Sequence, residues 1–377
     1  MKPRDIGLFV QYALLNFGYW IDNLIVFSFA AVLLSGRGFT PAQIGYVTTL
    51  AALLTIVLQL SMSTLADRST KITLKQIMAA MIAAAVVTAA ATALMPGIYV
   101  ASFVGMFTSM ALVSALSPLI TSLCLQYNAA GHNIDYGLAR SVGSLGYALA
   151  GYVMGRITEE FGSEITLPIF CGLHALLLAL VCLMRRPQPV EHIVDASHEA
   201  SSLREFFRCY RRFDLYLLTA ILLNSTQFIH NTYLIYFVRH YGGDAADMGL
   251  LLSVCAFAEM PAIAVGVRLI KRFSAETLLR ISAVSGPIKF AAMLIIPNIH
   301  WFIGLQVIQF TYAGLFTVSS VYFVSSLVRQ KDSIKAQSLI AVGLGGICSI
   351  AANFSGGWML ERFSIQTILV IGTGVVS

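Results

Sequence analysis

The chain has 377 residues, of which 58% are hydrophobic and only 11% are charged, and its mean hydropathy is +0.79. A soluble core of this size cannot bury so much apolar surface, so the composition excludes an ordinary soluble globular protein and predicts an all-α membrane protein. The formal net charge is +6, from 24 Lys and Arg against 18 Asp and Glu.

Apolar runs of about 20 residues, the length that crosses a hydrocarbon core, recur along the sequence and predict twelve transmembrane helices. The predicted spans are 8–35, 42–63, 75–95, 99–127, 137–158, 166–184, 214–238, 246–269, 275–296, 301–328, 336–360 and 365–377. The last span is short, which predicts a helix that is truncated or that ends within the membrane.

One long polar stretch divides the chain. Residues 185–213 are rich in charged, serine and proline residues, which is typical of a linker. This pattern predicts an N-terminal six-helix bundle at 1–184, a cytoplasmic linker at 185–213 and a C-terminal six-helix bundle at 214–377.

The two predicted bundles resemble each other in short segments. Residues 41–45 resemble 245–249, and residues 141–146 resemble 341–346, each about 200 positions further on. Because the matches fall at equivalent helix positions, they predict pseudo-symmetric halves, as in a duplicated transporter.

Lys and Arg are distributed unevenly between the predicted loops. If the N-terminus is cytoplasmic, 18 of them lie on the cytoplasmic side and four on the outer side. The positive-inside rule therefore predicts a multi-pass protein of the cell (cytoplasmic or inner) membrane with a cytoplasmic N-terminus. The same bias explains the net charge without a nucleic-acid partner.

A membrane-embedded enzyme or receptor is the interpretation from a different class. The six cysteines and seven histidines show no metal-ligand spacing. The sequence also offers no nucleophile motif, phosphate-binding loop or appended soluble domain. We therefore expect no enzyme and no metal site.

Asp22, Arg140, Glu259 and Lys289 carry formal charges within apolar helical segments of the predicted spans. An unpaired charge at the bilayer centre costs about 2.5–3.5 kcal/mol or more, so each needs a partner, water or a function. Glu259 and Lys289 lie on adjacent antiparallel spans and are predicted to form either a proton-coupling site or a structural ion pair. Asp22 is predicted to make a structural or water contact, with proton coupling as its alternative role.

Polar side chains recur at helical spacing on one face of the first span and of the seventh. They are Tyr12, Asn16, Tyr19 and Asn23 in the first span, and Asn224, Gln227 and Asn231 in the seventh. The stripes predict either the lining of a cavity or an interhelical hydrogen-bond seam.

The fifth span carries two different stripes. One face is shared by Arg140, Ser144, Tyr147 and Gly151, whereas a neighbouring stripe of small residues is formed by Gly143, Gly146 and Ala150. Small residues allow a partner backbone to approach closely. We therefore predict tight helix packing on the small stripe.

Two motifs resemble the major facilitator superfamily. The turn at 65–68, Leu-Ala-Asp-Arg, resembles its cytoplasmic signature loop, with Asp67 and Arg68 at the centre. Residues 136–149 resemble helix five of the oligosaccharide-proton symporter branch, the lactose-permease-like proteins. The resemblance implies a monomeric secondary transporter whose two bundles rock about a midplane cavity, with the first and seventh helices beside it.

The resemblance also implies roles for individual residues. The position of Arg140 holds an arginine that hydrogen-bonds sugar hydroxyls in that branch, and the position of Tyr147 holds a ring on which the sugar stacks. The alternatives are a snorkelling arginine and ordinary packing. The candidate substrate-binding residues are Asn16, Tyr19, Asn23, Arg140, Ser144, Tyr147, Gln227, Asn231, Gln309 and Tyr312.

Most acids of the lactose-permease-like network are replaced in this sequence. The replacements are Thr121 and Ser122 in the fourth span, Gln227 and His230 in the seventh, and Gln309 and Tyr312 in the tenth. Lys289 falls where that branch has an arginine, and Glu259 lies about one turn from a family carboxylate. An arginine without its acid favours an anionic solute.

The sequence therefore predicts proton-coupled symport of a small polar solute such as a sugar, glycoside or nucleoside. The expected partners are the solute and the lipid bilayer, and the expected energy source is the proton gradient, with no cofactor. Efflux of amphipathic or anionic compounds is the alternative function.

Overall fold

A computed structural model describes residues 3–68, 72–185, 203–329 and 332–376. The described residues are mostly helical and contain no β-strand. Each predicted span overlaps one helix or a run of consecutive helices. Most of the predicted linker, residues 186–202, lies outside the described part.

The described chain divides into two compact units. The first comprises Met1–His192 and Asp244–Ser253, and the second comprises Ile193–Gly243 and Val254–Ser377. The predicted domain boundaries stay a prediction.

The helices of the first unit follow the first six predicted spans. They are α1 (Pro3–Ser28), α2 (Ala30–Gly36), α3 (Pro41–Arg68), α4 (Leu74–Leu94), α5 (Tyr99–Ala129), α6 (Tyr136–Phe161) and α7 (Thr166–Leu183). The chain bends by 40° between α1 and α2. Helix α1 packs against α5, α6 and α7, which places it at the centre of the unit's contacts.

The ends of these helices follow local sequence signals. Thr73 and Gln76 form a capping box at the start of α4, and Asp135 caps α6 by accepting a hydrogen bond from the Leu138 N–H. Gly162 follows the last residue of α6, and its φ of 81° favours glycine. The Asp135 cap fixes where α6 begins and therefore the turn of the helix in which Arg140 lies.

The second unit contains more interrupted helices. They are α8 (Leu203–Cys209), α9 (Arg211–Thr232), α10 (Leu234–His240), α11 (Ala245–Phe273) from Val254 onward, α12 (Ala275–Met293), α13 (Ile299–Leu305), α14 (Ala313–Leu327), α15 (Ser333–Ala341), α16 (Ser349–Arg362) and α17 (Ile365–Val376). A 3₁₀ segment, Gln306–Phe310, lies between α13 and α14, and a π segment, Val342–Cys348, joins α15 to α16. The glycine-rich sequence of the π segment weakens regular α-helical geometry there.

The outer surface of the helices is strongly apolar. Leu60, Leu176 and Leu183 are 67%, 67% and 77% exposed, as expected of side chains that face lipid. Among the described residues, seven helices are long and apolar enough to cross a membrane, and eight if α1 and α2 count as one span. The chain is therefore a multi-pass membrane protein, and the total of twelve spans stays a prediction.

Candidate functional site

Arg140 lies in the second turn of α6, with its guanidinium stacked on an indole ring of α1. Its Cζ lies 3.7 Å from the centroid of the Trp20 ring, and its Nη1 donates a hydrogen bond to Ser144 Oγ at 3.2 Å. Arg140, Ser144 and Trp20 are all partly exposed. A guanidinium stacked in this way keeps its N–H donors in its own plane rather than against the ring.

Tyr147 lies two turns beyond Arg140 on α6 and completes this group. Its ring meets Trp20 edge-on, with the ring centroids 6.3 Å apart, and its hydroxyl lies 2.9 Å from Ser28 Oγ. We call Trp20, Arg140, Ser144 and Tyr147 the arginine cluster. Arg140, Ser144 and Tyr147 were predicted to share one face of this helix, and in the structure Arg140 contacts Ser144 while both Arg140 and Tyr147 contact Trp20.

Two glycines allow α6 to approach α1 closely enough to form the arginine cluster. A Cβ at Gly143 would lie 3.1 Å from the Asn16 carbonyl oxygen, and one at Gly146 would lie 2.9 Å from the Phe17 carbonyl oxygen. Any larger side chain would push the two helices apart. The predicted tight packing on the small stripe is therefore confirmed.

The predicted polar stripe of α1 is mostly buried. Asn16 and Tyr19 are 2% and 3% exposed, and Asn16 Nδ2 donates to the Tyr12 carbonyl oxygen. The Tyr12 hydroxyl donates to the Ile120 carbonyl oxygen of α5, whereas Asn23 is partly exposed. Tyr12 and Asn16 therefore make the contacts expected of a hydrogen-bond seam, and the substrate-binding role of Asn16, Tyr19 and Asn23 stays a prediction.

Asp22 is also on α1 and pairs with a residue that sequence reasoning overlooked. Its Oδ2 lies 2.7 Å from Nδ1 of His174 on α7, and both side chains are 0% exposed. The His174 ring stacks on Phe170, one turn earlier on α7. The predicted structural contact of Asp22 is thus an acid–imidazole pair.

In the second unit, Lys289 of α12 is completely buried among amide side chains. Its Nζ donates to Gln227 Oε1 of α9 at 3.0 Å and to Gln309 Oε1 of the 3₁₀ segment at 3.2 Å. Gln227 Nε2 in turn donates to Asn231 Oδ1 at 2.6 Å. We call Lys289, Gln227, Gln309 and Asn231 the lysine cluster.

Two further predicted residues lie near the lysine cluster. Lys289 Nζ lies 5.6 Å from the centroid of the Tyr312 ring, and the Tyr312 hydroxyl donates to the Leu223 carbonyl oxygen. Glu259, which is partly exposed, interacts electrostatically with Lys289. The structure therefore gathers most of the predicted polar residues of this half around one cation, and their roles stay predictions.

Sequence reasoning missed Trp20 and His174. A neutral histidine carries no formal charge, so a count of charges within apolar spans passed over His174. The position of His174 in the middle of an apolar span was the signal that could have identified it, because ionisable residues within membrane spans are rare and often functional. The side chains of Asp67 and Arg68, the predicted signature residues, lie outside the described part of the structure.

Comparison with known proteins gives the chain's relatives. The pattern described as "MFS_1 like family" matches residues 25–370. The maltose permease of Geobacillus stearothermophilus is 26% identical over 260 residues, 68% of this chain and 64% of that protein. The "Probable 3-phenylpropionic acid transporter" of Escherichia coli is 24% identical over 227 residues, 59% of this chain and 58% of that protein. The chain thus spans less than two thirds of the length of these relatives.

The fold has a close counterpart among solved structures. The crystal structure of a mutant of the nucleoside transporter NupG matches with a TM-score of 0.83 and 17% identity, over 98% of this chain and 97% of that chain. At this identity the likeness shows the fold alone. Because the family pattern covers most of the sequence, the chain belongs to the MFS_1 like family, within the major facilitator superfamily.

Proposed function

We propose that the protein is a proton-coupled symporter of a small polar solute, such as a sugar, glycoside or nucleoside, and that it works by alternating access. The observation that carries the proposal is the partly exposed guanidinium of Arg140 on the Trp20 ring, with Ser144 and Tyr147 beside it. A guanidinium fork suits vicinal hydroxyls, and an aromatic ring suits the apolar face of a sugar or the plane of a base.

The named relatives support this class of solute. A maltose permease and a nucleoside transporter are proteins whose printed names specify hydroxyl-rich solutes, one a sugar and the other a base joined to a sugar. Both solutes combine vicinal hydroxyls with an apolar face. In the arginine cluster, the guanidinium of Arg140 suits the vicinal hydroxyls, and an aromatic ring suits the apolar face.

Coupling to protons requires an ionisable group whose proton affinity changes with conformation. The candidates from the sequence are Glu259 with Lys289, and Asp22. In this proposal the two bundles rock about a midplane cavity, the proton gradient of the cell membrane supplies the energy, and the N-terminus is cytoplasmic. The working unit is a monomer without a cofactor or metal.

The test is solute-driven proton movement in right-side-out membrane vesicles that contain the protein. Addition of a transported sugar or nucleoside should make the external medium more alkaline, because each solute takes a proton inward. Vesicles without the protein are the control. Solute uptake that proceeds at the same rate without any proton movement, and that ignores an imposed pH gradient, would overturn the proposal.

Transport of an anionic aromatic solute, outward or inward, is the second candidate. It is favoured by Thr121 and Ser122 at the positions where the lactose-permease-like proteins have a carboxylate facing the arginine. A relative named as a 3-phenylpropionic acid transporter points to the same class. A guanidinium on an indole suits a carboxylate joined to a phenyl ring.

Competition distinguishes the two candidates. An excess of unlabelled 3-phenylpropionate should leave uptake of a labelled sugar or nucleoside unchanged if the solute is neutral. Strong inhibition, together with uptake or export of labelled 3-phenylpropionate itself, would favour the anionic candidate.

A further inference from the structure

Asp22 and His174 form a completely buried pair that joins α1 to α7 across 152 residues of sequence. The Asp22 Oδ2 to His174 Nδ1 distance is 2.7 Å, and neither side chain is exposed at all. The pair is also incompletely satisfied, because Asp22 Oδ1 and His174 Nε2 have no hydrogen-bond partner among the described residues. A buried pair that only stabilises helix packing is expected to have its polar atoms satisfied.

The other ionisable groups on the helices around α1 have their own partners or lie at the surface. The Arg140 guanidinium of α6 lies over Trp20, Cys124 Sγ of α5 contacts the Ile134 carbonyl, and Cys171 Sγ of α7 contacts the Val86 carbonyl. The Tyr127 hydroxyl of α5 donates to the Arg185 carbonyl. The remaining ones are Tyr147, which contacts Ser28, and the exposed Tyr99, Tyr136, Tyr152, Arg156, Glu159, Glu160 and Cys182.

No ionisable side chain occurs in the sequence of α2, which also packs on α1. The electrostatic partner of Asp22 is His174. The charge of the pair is therefore set by the pair itself.

We propose that Asp22 and His174 together form the binding site for the coupled proton. This inference rests on the proposed proton symport, and it names the residues that carry the proton.

The proton capacity of the pair follows from its charge. With a carboxylate and a neutral imidazole the pair has a net charge of −1, and Nδ1–H donates to Oδ2. One added proton makes the pair neutral, either as carboxylate with imidazolium or as carboxylic acid with imidazole. A second proton would leave a net charge of +1. In a dry site both charged states are strongly disfavoured, so the buried pair holds one proton.

Release of the proton therefore requires water to reach the pair. The proton on His174 Nε2 then passes to water while Nδ1–H keeps its hydrogen bond to Oδ2, and the carboxylate that remains is stabilised by hydration. A conformation that opens the contact between α1 and α7 would admit this water. The described structure, in which Asp22 and His174 are in contact and buried, corresponds to the proton-loaded pair.

The same helix carries both the proton site and the arginine cluster. Trp20 and Asp22 are two residues apart on α1, which places them about 200° apart around the helix axis. Trp20 meets Arg140 of α6, and Asp22 meets His174 of α7. A solute that shifts α1 at Trp20 would therefore also change the contact at Asp22.

The test uses purified full-length protein reconstituted into liposomes, with Asp22→Asn and His174→Asn. Asn at position 174 places an amide nitrogen near the position of His174 Nδ1, and Asn titrates at neither position. His300→Asn, at an exposed position at the start of α13, is the matched control. The first measured quantity is the number of protons taken up per solute molecule during net transport. The second is the rate at which labelled solute exchanges for unlabelled solute, a reaction that needs no net proton movement.

Both pair variants should lose solute-driven proton uptake by about 10-fold or more and should keep exchange close to the wild-type rate, since only the proton step is removed. His300→Asn should match the wild type. If the wild type moves protons and either pair variant keeps the same proton-to-solute ratio, the inference is wrong while the symport proposal stands. If the wild type moves no protons with its solute, the symport proposal fails first.

A second test combines a spectroscopic measurement on the wild type with an exchanged pair. Asp22 is the one aspartate that falls inside a predicted span away from its ends, so wild-type protein labelled with ¹³C on aspartate side chains reports on it by infrared difference spectroscopy. Solute addition should change a band that moves with the label, either a carboxylic-acid C=O band or a carboxylate stretching band, because the loaded pair holds its proton on one partner or the other. The exchanged pair, Asp22→His with His174→Asp, should keep coupling. Absence of the labelled band, or solute exchange without coupling in the exchanged pair, would overturn the inference.

Discussion

Arg140 in the first unit and Lys289 in the second are both cations within the helical core, and they are held in opposite ways. Arg140 is partly exposed, and its guanidinium lies on the face of Trp20. Lys289 is 0% exposed, and its ammonium donates to the amide oxygens of Gln227 and Gln309. The first cation is therefore partly accessible on the face of a ring, whereas the second is enclosed and donates to two amide oxygens.

This difference suggests a division of labour between the two clusters. A stacked guanidinium loses little by binding a solute, because its planar fork is already oriented. An ammonium held by two amide oxygens must give up those bonds before it binds anything else. We therefore expect the arginine cluster to determine solute affinity and the lysine cluster to determine stability and the arrangement of its helices.

The largest expected effect comes from Arg140→Ala. Loss of charge-assisted hydrogen bonds of about 1.5–3 kcal/mol should weaken solute binding about 10- to 100-fold, while the melting temperature changes little. Arg140→Lys should restore only a small part, because an ammonium lacks the planar fork. Equilibrium binding and thermal unfolding of purified protein measure the two effects.

Arg156→Ala is the matched control for Arg140→Ala. Arg156 lies on the same helix, and its guanidinium is also near a ring, 5.5 Å from the Tyr152 centroid, but its side chain is exposed. Solute binding should be unchanged in Arg156→Ala. Equal losses of solute affinity in Arg140→Ala and Arg156→Ala would show that the arginine cluster has no special role in solute binding.

Lys289→Met should show the opposite pattern. The amide oxygens of Gln227 and Gln309 would lose a buried donor, which costs about 1–3 kcal/mol of folding free energy. We expect a lower melting temperature, with solute affinity in the remaining folded protein close to that of the wild type. Thermal unfolding and binding are measured on the same preparation.

Arg280→Met provides the control on the same helix as Lys289. Arg280 is 77% exposed and pairs with Glu276 one turn away, so its removal should leave the melting temperature unchanged. The proposed division of roles between the two clusters would be wrong if Lys289→Met unfolds at the wild-type temperature but no longer binds solute.

A smaller effect is expected for Trp20→Leu. The substitution keeps an apolar side chain but removes the ring under the guanidinium, and such a cation–π contact contributes about 0.5–2 kcal/mol. Solute affinity should fall about 3- to 30-fold as Arg140 loses its fixed orientation, and Trp20→Phe should lose less. Affinity that depends on neither substitution would show that the ring does not position Arg140.

Tyr147→Phe should have the smallest effect. The ring that contacts Trp20 remains, whereas the hydroxyl contact with Ser28 is lost, which is worth about 0.5–1.5 kcal/mol. We expect less than about a 10-fold loss of affinity, and Ser28→Ala should resemble it. A larger loss in Tyr147→Phe than in Ser28→Ala would mean that the hydroxyl contacts the solute itself.

The sequence predicted the positions of the helices well, because long apolar runs are a strong local signal. It did not predict the interruptions in the second unit, such as the π segment between α15 and α16, because these depend on glycine content and on packing between helices. The close approach of α6 to α1 was predictable from Gly143 and Gly146, since small residues at helical spacing have one main use in membranes.

The candidate site was predictable only in part. The shared face of Arg140, Ser144 and Tyr147 follows from helical periodicity, but Trp20 comes from another helix and has no periodic signal. Lys289 was predicted beside Glu259, and the structure adds Gln227 and Gln309 as its hydrogen-bond acceptors. Side-chain partners across helices depend on helix rotation, which hydropathy leaves open.

The most direct test of the central claim, that the arginine cluster binds the transported solute, is the fluorescence of Trp20. The chain has three tryptophans, so a variant with Trp301→Phe and Trp358→Phe leaves Trp20 as the sole indole. Titration with sugars, nucleosides and 3-phenylpropionate should give a saturable change for the transported class, and Arg140→Ala should abolish it. A transported solute that leaves Trp20 fluorescence unchanged, or a change that survives Arg140→Ala, would contradict the claim.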